Sequence, residues 1–262
     1  MKNLLSYEFR RLFRQPSFYV CLGISAALVL IRLYSSYALM QLSTSLAGTQ
    51  SDLTLEIAKN SINASEQTVS ALGSGNLTTL IAIFLALFIC PDFSDGTIKN
   101  VFSRGYRRPA WLSSKLFVSV SAVLIYSLVT LAVTYAGSLL FFGNPGRFSE
   151  DDIRRILLQL LLIVAFAVMD ICICLLVRKA GGAIAMSIVL PLAVPLVTAL
   201  ADILIFEFEE TISRYWIGNA LSELTYESFL IKKDLTFPLL LSAGYLAVFG
   251  IFSYLLIRKR DV

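Results

Sequence analysis

The sequence predicts an all-α, polytopic membrane protein with six transmembrane helices in a single transmembrane domain, residues 1–262. Three observations predict it. Six nearly charge-free apolar runs occur, at 15–31, 67–91, 116–146, 156–177 (broken only by Asp170), 180–201 and 235–257. A bilayer core of about 30 Å needs roughly 20 apolar helical residues, so each run can supply one span. The segments between the runs alternate in charge, and the chain is 57% hydrophobic with a mean hydropathy of +0.76, far above a soluble domain.

The alternation fixes an expected orientation. One side collects fourteen Lys and Arg against four carboxylates, and the other seven against thirteen; Arg32 and Asp170 lie inside spans and cancel, which leaves the net +4 of the chain. The cation-rich side is expected in the cytoplasm, with both termini. A count of five or seven spans would put the Lys and Arg of one chain end on the wrong side. The basic balance reads as juxtamembrane anchoring, with no nucleic-acid partner implied. The first span is expected to act as its own insertion signal, since no small-residue cleavage site follows a short apolar core.

Taken in order, residues 1–16 are expected to form an amphipathic helix lying in the cytoplasmic headgroup region. Leu5, Phe9, Leu12 and Phe13 recur at steps of three and four, opposite Lys2, Ser6, Arg10 and Arg14. Pro16 ends that helix and lets the chain turn into the first span. Outside, residues 41–76 hold Asp52, Glu56, Lys59 and Glu66 among small polar residues, with a flexible exit at Gly73, Ser74 and Gly75.

The cytoplasmic segment 92–115, between spans 2 and 3, carries the most local structure. Asp95 is the expected N-cap of a short helix through Thr97, Ile98, Lys99, Asn100, Val101, Phe102 and Ser103, with Gly105 as its left-handed stop. Ile98, Val101 and Phe102 fall on one side, expected to face the cytoplasm as a docking element framed by cations. Pro109 opens the next helix, with Trp111 at the interface. In the outer segment 202–234, between spans 5 and 6, Leu204, Phe208, Ile212 and Tyr215 recur at helical spacing and Glu210 can pair with Arg214. Gly218 and Asn219 are expected to break it, before Leu221, Leu224 and Phe229 resume an apolar face. Two short helices dipping into the outer interface follow from this pattern.

Little catalytic chemistry survives inspection, and no catalytic or metal-ligating residue is assigned. The chain contains no histidine, which removes the common imidazole-dependent hydrolases and metalloproteases. Glu209, Glu210 and Arg214 spell an EExxxR pattern found in membrane-embedded proteases, yet the histidines such enzymes need are missing. No GxxxxGK[ST] or GxGxxG loop occurs, so any ATP must be bound by another subunit. Cys21, Cys90, Cys172 and Cys174 lie in spans or at their ends and read as buried thiols; Cys172 and Cys174, two apart on a helix, point to different faces.

Four residues are singled out within the spans. Asp170 lies about 12 Å above the cytoplasmic boundary, too deep for a short carboxylate to snorkel, so it either lines a pathway or hydrogen-bonds a neighbouring helix. Arg32, roughly 8 Å below the outer boundary, can snorkel outward. Pro191 and Pro195 are four apart on one face of the fifth span and should kink it where a cavity or neighbour satisfies the freed carbonyls.

The segment Asp92, Phe93, Ser94, Asp95, Gly96, Thr97, Ile98, Lys99, Asn100, followed by Ser103, Arg104, Arg107, Arg108 and Lys115, resembles the acidic-x3-GT-x-(K/R) stretch of the ABC-2 type permeases. These are the membrane subunits of ATP-binding-cassette exporters. Asp92 stands where Glu is commoner. The resemblance implies that Asp95, Gly96, Thr97, Ile98, Lys99, Val101, Phe102 and Arg104 form a coupling helix seated in a cytoplasmic ATPase. It implies a unit of two ATPase subunits, which bind the ATP and Mg, and a second permease, identical or different, in a bacterial cell membrane. Asp170, Pro191 and Pro195 would lie along the translocation pathway. The short length and small outer loops look most like exporters of amphipathic or antimicrobial peptides, including self-immunity systems. The alternatives are an energy-independent channel or carrier using Asp170, and a non-transporting peptide-immunity subunit.

Overall fold

A computed structural model describes residues 2–46, 63–205, 212–225 and 236–259. All of the regular structure described is helical, and six helices are long and apolar enough to cross a membrane: Pro16–Leu42, Gly75–Ser94, Arg108–Phe142, Glu150–Val177, Ala180–Leu204 and Thr236–Arg258. The chain is a multi-pass membrane protein by this architecture. The first described helix and the end of the last one fall at one end of the bundle, the terminal end; the other is the distal end.

The chain starts with α1 (Lys2–Arg14), pauses at Gln15 and enters α2 (Pro16–Leu46) with Pro16 at the first helical position. The short α3 (Ala64–Leu72) precedes α4 (Gly75–Ile89), which runs through Cys90 into α5 (Pro91–Ser94). Next come α6 (Thr97–Ser103), α7 (Arg108–Phe142), α8 (Glu150–Val177) and α9 (Ala180–Ile205). A 3-10 turn at Ser213–Tyr215, α10 (Ile217–Glu223) and α11 (Thr236–Lys259) complete the fold.

The bundle is built around α8. It packs on α11, α4, α7 and α9, and 72% of its most apolar window is buried, against 11% for α9. Its start is fixed by a capping box: the amides of Asp151 and Asp152 donate to Ser149 Oγ, and the Ser149 amide donates to Asp152 Oδ2 at 2.9 Å. Spans α2, α4 and α7 are joined by aromatic edges. Phe18, Phe84 and Tyr126 meet with centroids 5.3–5.7 Å apart, and the Tyr126 hydroxyl donates to the Phe18 carbonyl at 2.7 Å. Higher up, Gly137 lets α7 approach α2: a Cβ there would sit 2.7 Å from Leu33 Cδ1.

Several elements differ from the sequence expectation. The run 67–91 is two helices, because the chain bends at Gly73 and Ser74; the bend is packed against Thr225 and the Leu221 carbonyl, so this corner is fixed by contacts. The third span starts at Arg108, eight residues before its apolar run, which puts Trp111 and Lys115 inside the bundle. Trp111 therefore lies in the core, edge-on to Phe93 at 5.9 Å, and not at the interface. Gly218 and Asn219 sit within α10 and do not interrupt it; Gly218 is required because the Trp216 indole folds over it, with Nε1 2.5 Å from where a Cβ would lie. Asp52, Glu56, Lys59, Glu207, Phe208, Glu209, Glu210 and Phe229 lie outside the described residues.

Candidate functional site

At the terminal end, two carboxylates and two cations converge from three elements. Lys115 on α7 places Nζ 2.7 Å from Glu8 Oε2 on α1 and 2.8 Å from Asp92 Oδ2 on α5. The second contact is off the hydrogen-bonding direction and is ionic only. Arg11, one turn beyond Glu8, pairs with the other oxygen of Asp92. Glu8, Asp92 and Lys115 are each 1% exposed, and the Arg11 side chain, 23% exposed, completes a neutral set that meets water only on its side. Phe88 roofs it: Lys115 Nζ stands 4.3 Å and the Arg11 guanidinium 5.7 Å from its ring centre. Burial opposes the charged form of Arg11, but Asp92 more than offsets this and raises its pKa, so Arg11 stays protonated.

Helix α6 follows α5, the element that carries Asp92. Gly96, at φ +68, makes the left-handed step between α5 and α6 that a side-chain-bearing residue rarely adopts. Asp95 does not cap α6, as expected from sequence; it closes α5, its amide bonded to the Pro91 carbonyl and its carboxylate accepting from Ser94 Oγ. The stop at Gly105, φ +82, is as expected. The sidedness of α6 is reversed: Ile98 is fully buried, and Val101 and Phe102 are half-buried against the bundle core. Apolar side chains beside a hydrophobic floor turn onto it, so the outward face is polar, with Lys99, Asn100, Ser103 and Arg104. Thr97 is half-exposed at the start of the helix.

The end of α8 abuts the same region. Its last turn closes on Arg178 at φ +60, an unusual conformation for a non-glycine, with the guanidinium 5.4 Å from the Phe93 ring centre. Cys90 Sγ lies 4.0 Å from the Cys174 carbonyl, and all four cysteines are free thiols in buried positions.

The intramembrane residues separate. Asp170 is fully buried on α8, with the Ser187 hydroxyl of α9 beside its carboxylate but short of good hydrogen-bond geometry. Pro191 and Pro195 line a distal cavity of about 390 Å³ between α4, α9 and α10, together with Asn76 and Asn219. Asp170 is not among the residues that line this cavity, although Phe166, one turn before it on α8, is. Arg32 reaches Gln67 O and Ser70 Oγ at 3.4 and 3.5 Å on α3. Two distal residues not singled out from sequence hold the outer segment: Asp202 accepts from the Ile212 and Ser213 amides, and Arg155 donates to the Leu224 and Thr225 carbonyls.

Glu8 and Arg11 were likewise not singled out. The signal for Glu8 was present: it is the only carboxylate in the first 51 residues, and it falls midway between Leu4 and Leu12 on one helical stripe. Residues 25–262 match the model of a family described as a protein of unknown function, DUF2705. No curated protein matches the chain.

Proposed function

The chain belongs to the DUF2705 family, and we propose that it is the permease subunit of an ATP-binding-cassette exporter, driven by a separate cytoplasmic ATPase. The observation that carries the reading is the 92–115 segment, whose resemblance to the ABC-2 coupling stretch coincides with a short, outward-facing helix beside the element that carries Asp92. Load applied to α6 passes to α5, which packs against it, and Asp92 of α5 at the foot of span 2 contacts Lys115 at the start of span 3. A stiff, desolvated ion set passes displacement on, because separating its charges leaves them unpaired at a cost of several kcal/mol.

The contact surface follows from the sidedness of α6. Lys99, Asn100, Ser103 and Arg104 meet the ATPase, while Ile98, Val101 and Phe102 tie the helix to the bundle. Asp95, Gly96 and Thr97 set its angle. ATPase closure tilts spans 2 and 3 and shifts the bundle between two accessibilities. A second permease completes the pathway, which passes near Pro191 and Pro195. The cargo is an amphipathic peptide or a similarly hydrophobic molecule, the membrane is the bacterial cell membrane, and the termini and α6 are cytoplasmic.

The test is co-purification of the ATPase encoded beside this chain. Lys99→Glu with Arg104→Glu should lower its recovery at least tenfold while the permease still inserts, since both side chains are exposed. Undiminished recovery would exclude docking on this face. A carrier powered by an ion gradient is the second reading, resting on the fully buried carboxylate of Asp170 within a span. Ion flux through the purified chain alone, abolished by Asp170→Asn, would favour it over the exporter.

A further inference from the structure

Beside α6 lies a cavity of about 690 Å³, within the range of sites that hold small ligands. It opens between the polar turn before α7 and the last turns of α11. Lys99, Arg107, Arg108 and Arg258 line it, with Phe102 and Tyr254 as apolar walls, and no carboxylate of the described residues does. Among the described residues no carboxylate comes within ion-pair distance of Lys99, Arg107 or Arg258. Arg108 is held in place, its guanidinium 3.4 Å from the Ile257 carbonyl and 5.9 Å from the Phe102 ring centre. Lys99, Arg107 and Arg258 bring like charges to one cavity, and the arrangement is relieved by an anion.

We propose that this cavity binds the phosphodiester headgroup of an anionic phospholipid from the leaflet at the terminal end. The choice of lipid over a soluble anion comes from what adjoins the cations. Tyr254 belongs both to the cavity wall and to the exposed apolar face of α11, which continues upward through Leu255, Phe252 and Ile251. A phosphate seated between Arg107 and Arg258 therefore has its acyl chains directed along a hydrophobic surface that no other described element covers. A basic pocket at the foot of a membrane helix is suited to such headgroups. The site does not presuppose the ATPase reading, since the phosphate is seated by Arg107 and Arg258; Lys99 alone of its cations belongs to both surfaces.

Native mass spectrometry of the purified protein, titrated with phosphatidylglycerol or phosphatidylcholine, tests the proposal. Wild type should retain one phosphatidylglycerol under conditions that strip phosphatidylcholine. Arg107→Gln with Arg258→Gln should weaken that retention about thirtyfold, the effect of two interfacial cations. Arg107→Lys with Arg258→Lys should keep it within about threefold, which separates lost charge from lost folding. Equal retention of the two lipids by wild type, or unchanged retention in the Gln variant, overturns the proposal. Displacement of the lipid by millimolar inorganic phosphate or glycerol phosphate also overturns it, by showing a soluble-anion site. Lys99 is left intact, so failure of this test leaves ATPase docking untouched.

Discussion

Lys115 is a cation 1% exposed, seven residues into a membrane span, and its position is tolerable only because two carboxylates face it. Removing one partner from a buried pair costs about 3–5 kcal/mol, mostly through the charge left behind. Glu8→Gln and Lys115→Met should each lower the thermal unfolding midpoint in detergent by that order of effect. The double variant leaves Arg11 paired with Asp92, a neutral remainder, so it should be more stable than the sum of the single losses by at least 1 kcal/mol. Additive losses would show that Glu8 and Lys115 do not act on each other. Lys115 and Asp92 were legible in the sequence as parts of one motif, because they stand in the 92–115 stretch. Their partners were not, since nothing in a linear reading says that Glu8, 107 positions from Lys115, is folded against it. A charge placed on an otherwise apolar helical stripe was the one available clue.

Elements were legible where hydrophobicity alone decides them and obscure where a neighbour does. Six spans follow from run length, and the ends of α6 follow from Gly105 and from the break before Thr97. Which way α6 faces does not follow, because three apolar residues on a seven-residue helix pack equally well on a partner or on their own bundle until the floor beneath them is known. The division of 67–91 into α3 and α4 was hidden for the same reason. Gly73 read as a loop residue, whereas it is the contact point between that bend and the segment after α10. A Cβ at 73 would collide with the Thr225 side chain and press on the Leu221 carbonyl at 3.1 Å. Gly73→Ala should therefore destabilise the fold by about 1–3 kcal/mol, the usual cost of overpacking. Thr225→Gly in the same chain should restore part of it, read as the unfolding midpoint of the pair of variants. A neutral Gly73→Ala would mean that this corner is looser than the contacts require.

For the whole molecule, the decisive quantity is which face of the bundle meets which compartment. The described helices place α1, α6 and the end of α11 together, with the α7–α8 turn and α10 at the opposite end. The terminal end carries the buried ion set, the cation-lined cavity and the polar face of α6. The distal end carries the carboxylate-rich start of α8, with exposed Glu150 and Asp151. Lys and Arg concentrated at one end of a bundle retain that end in the cytoplasm during insertion. The native cysteines are buried, so a single introduced thiol can report its own side. Ser103→Cys, on the exposed face of α6, should react with a membrane-impermeant maleimide only after the cells are opened, whereas Glu150→Cys should react in intact cells. The reverse pattern would put α6 outside, where no ATP is available, and the exporter reading would fall. Labelling of both sites in intact cells would mean that α7, the span between them, does not cross.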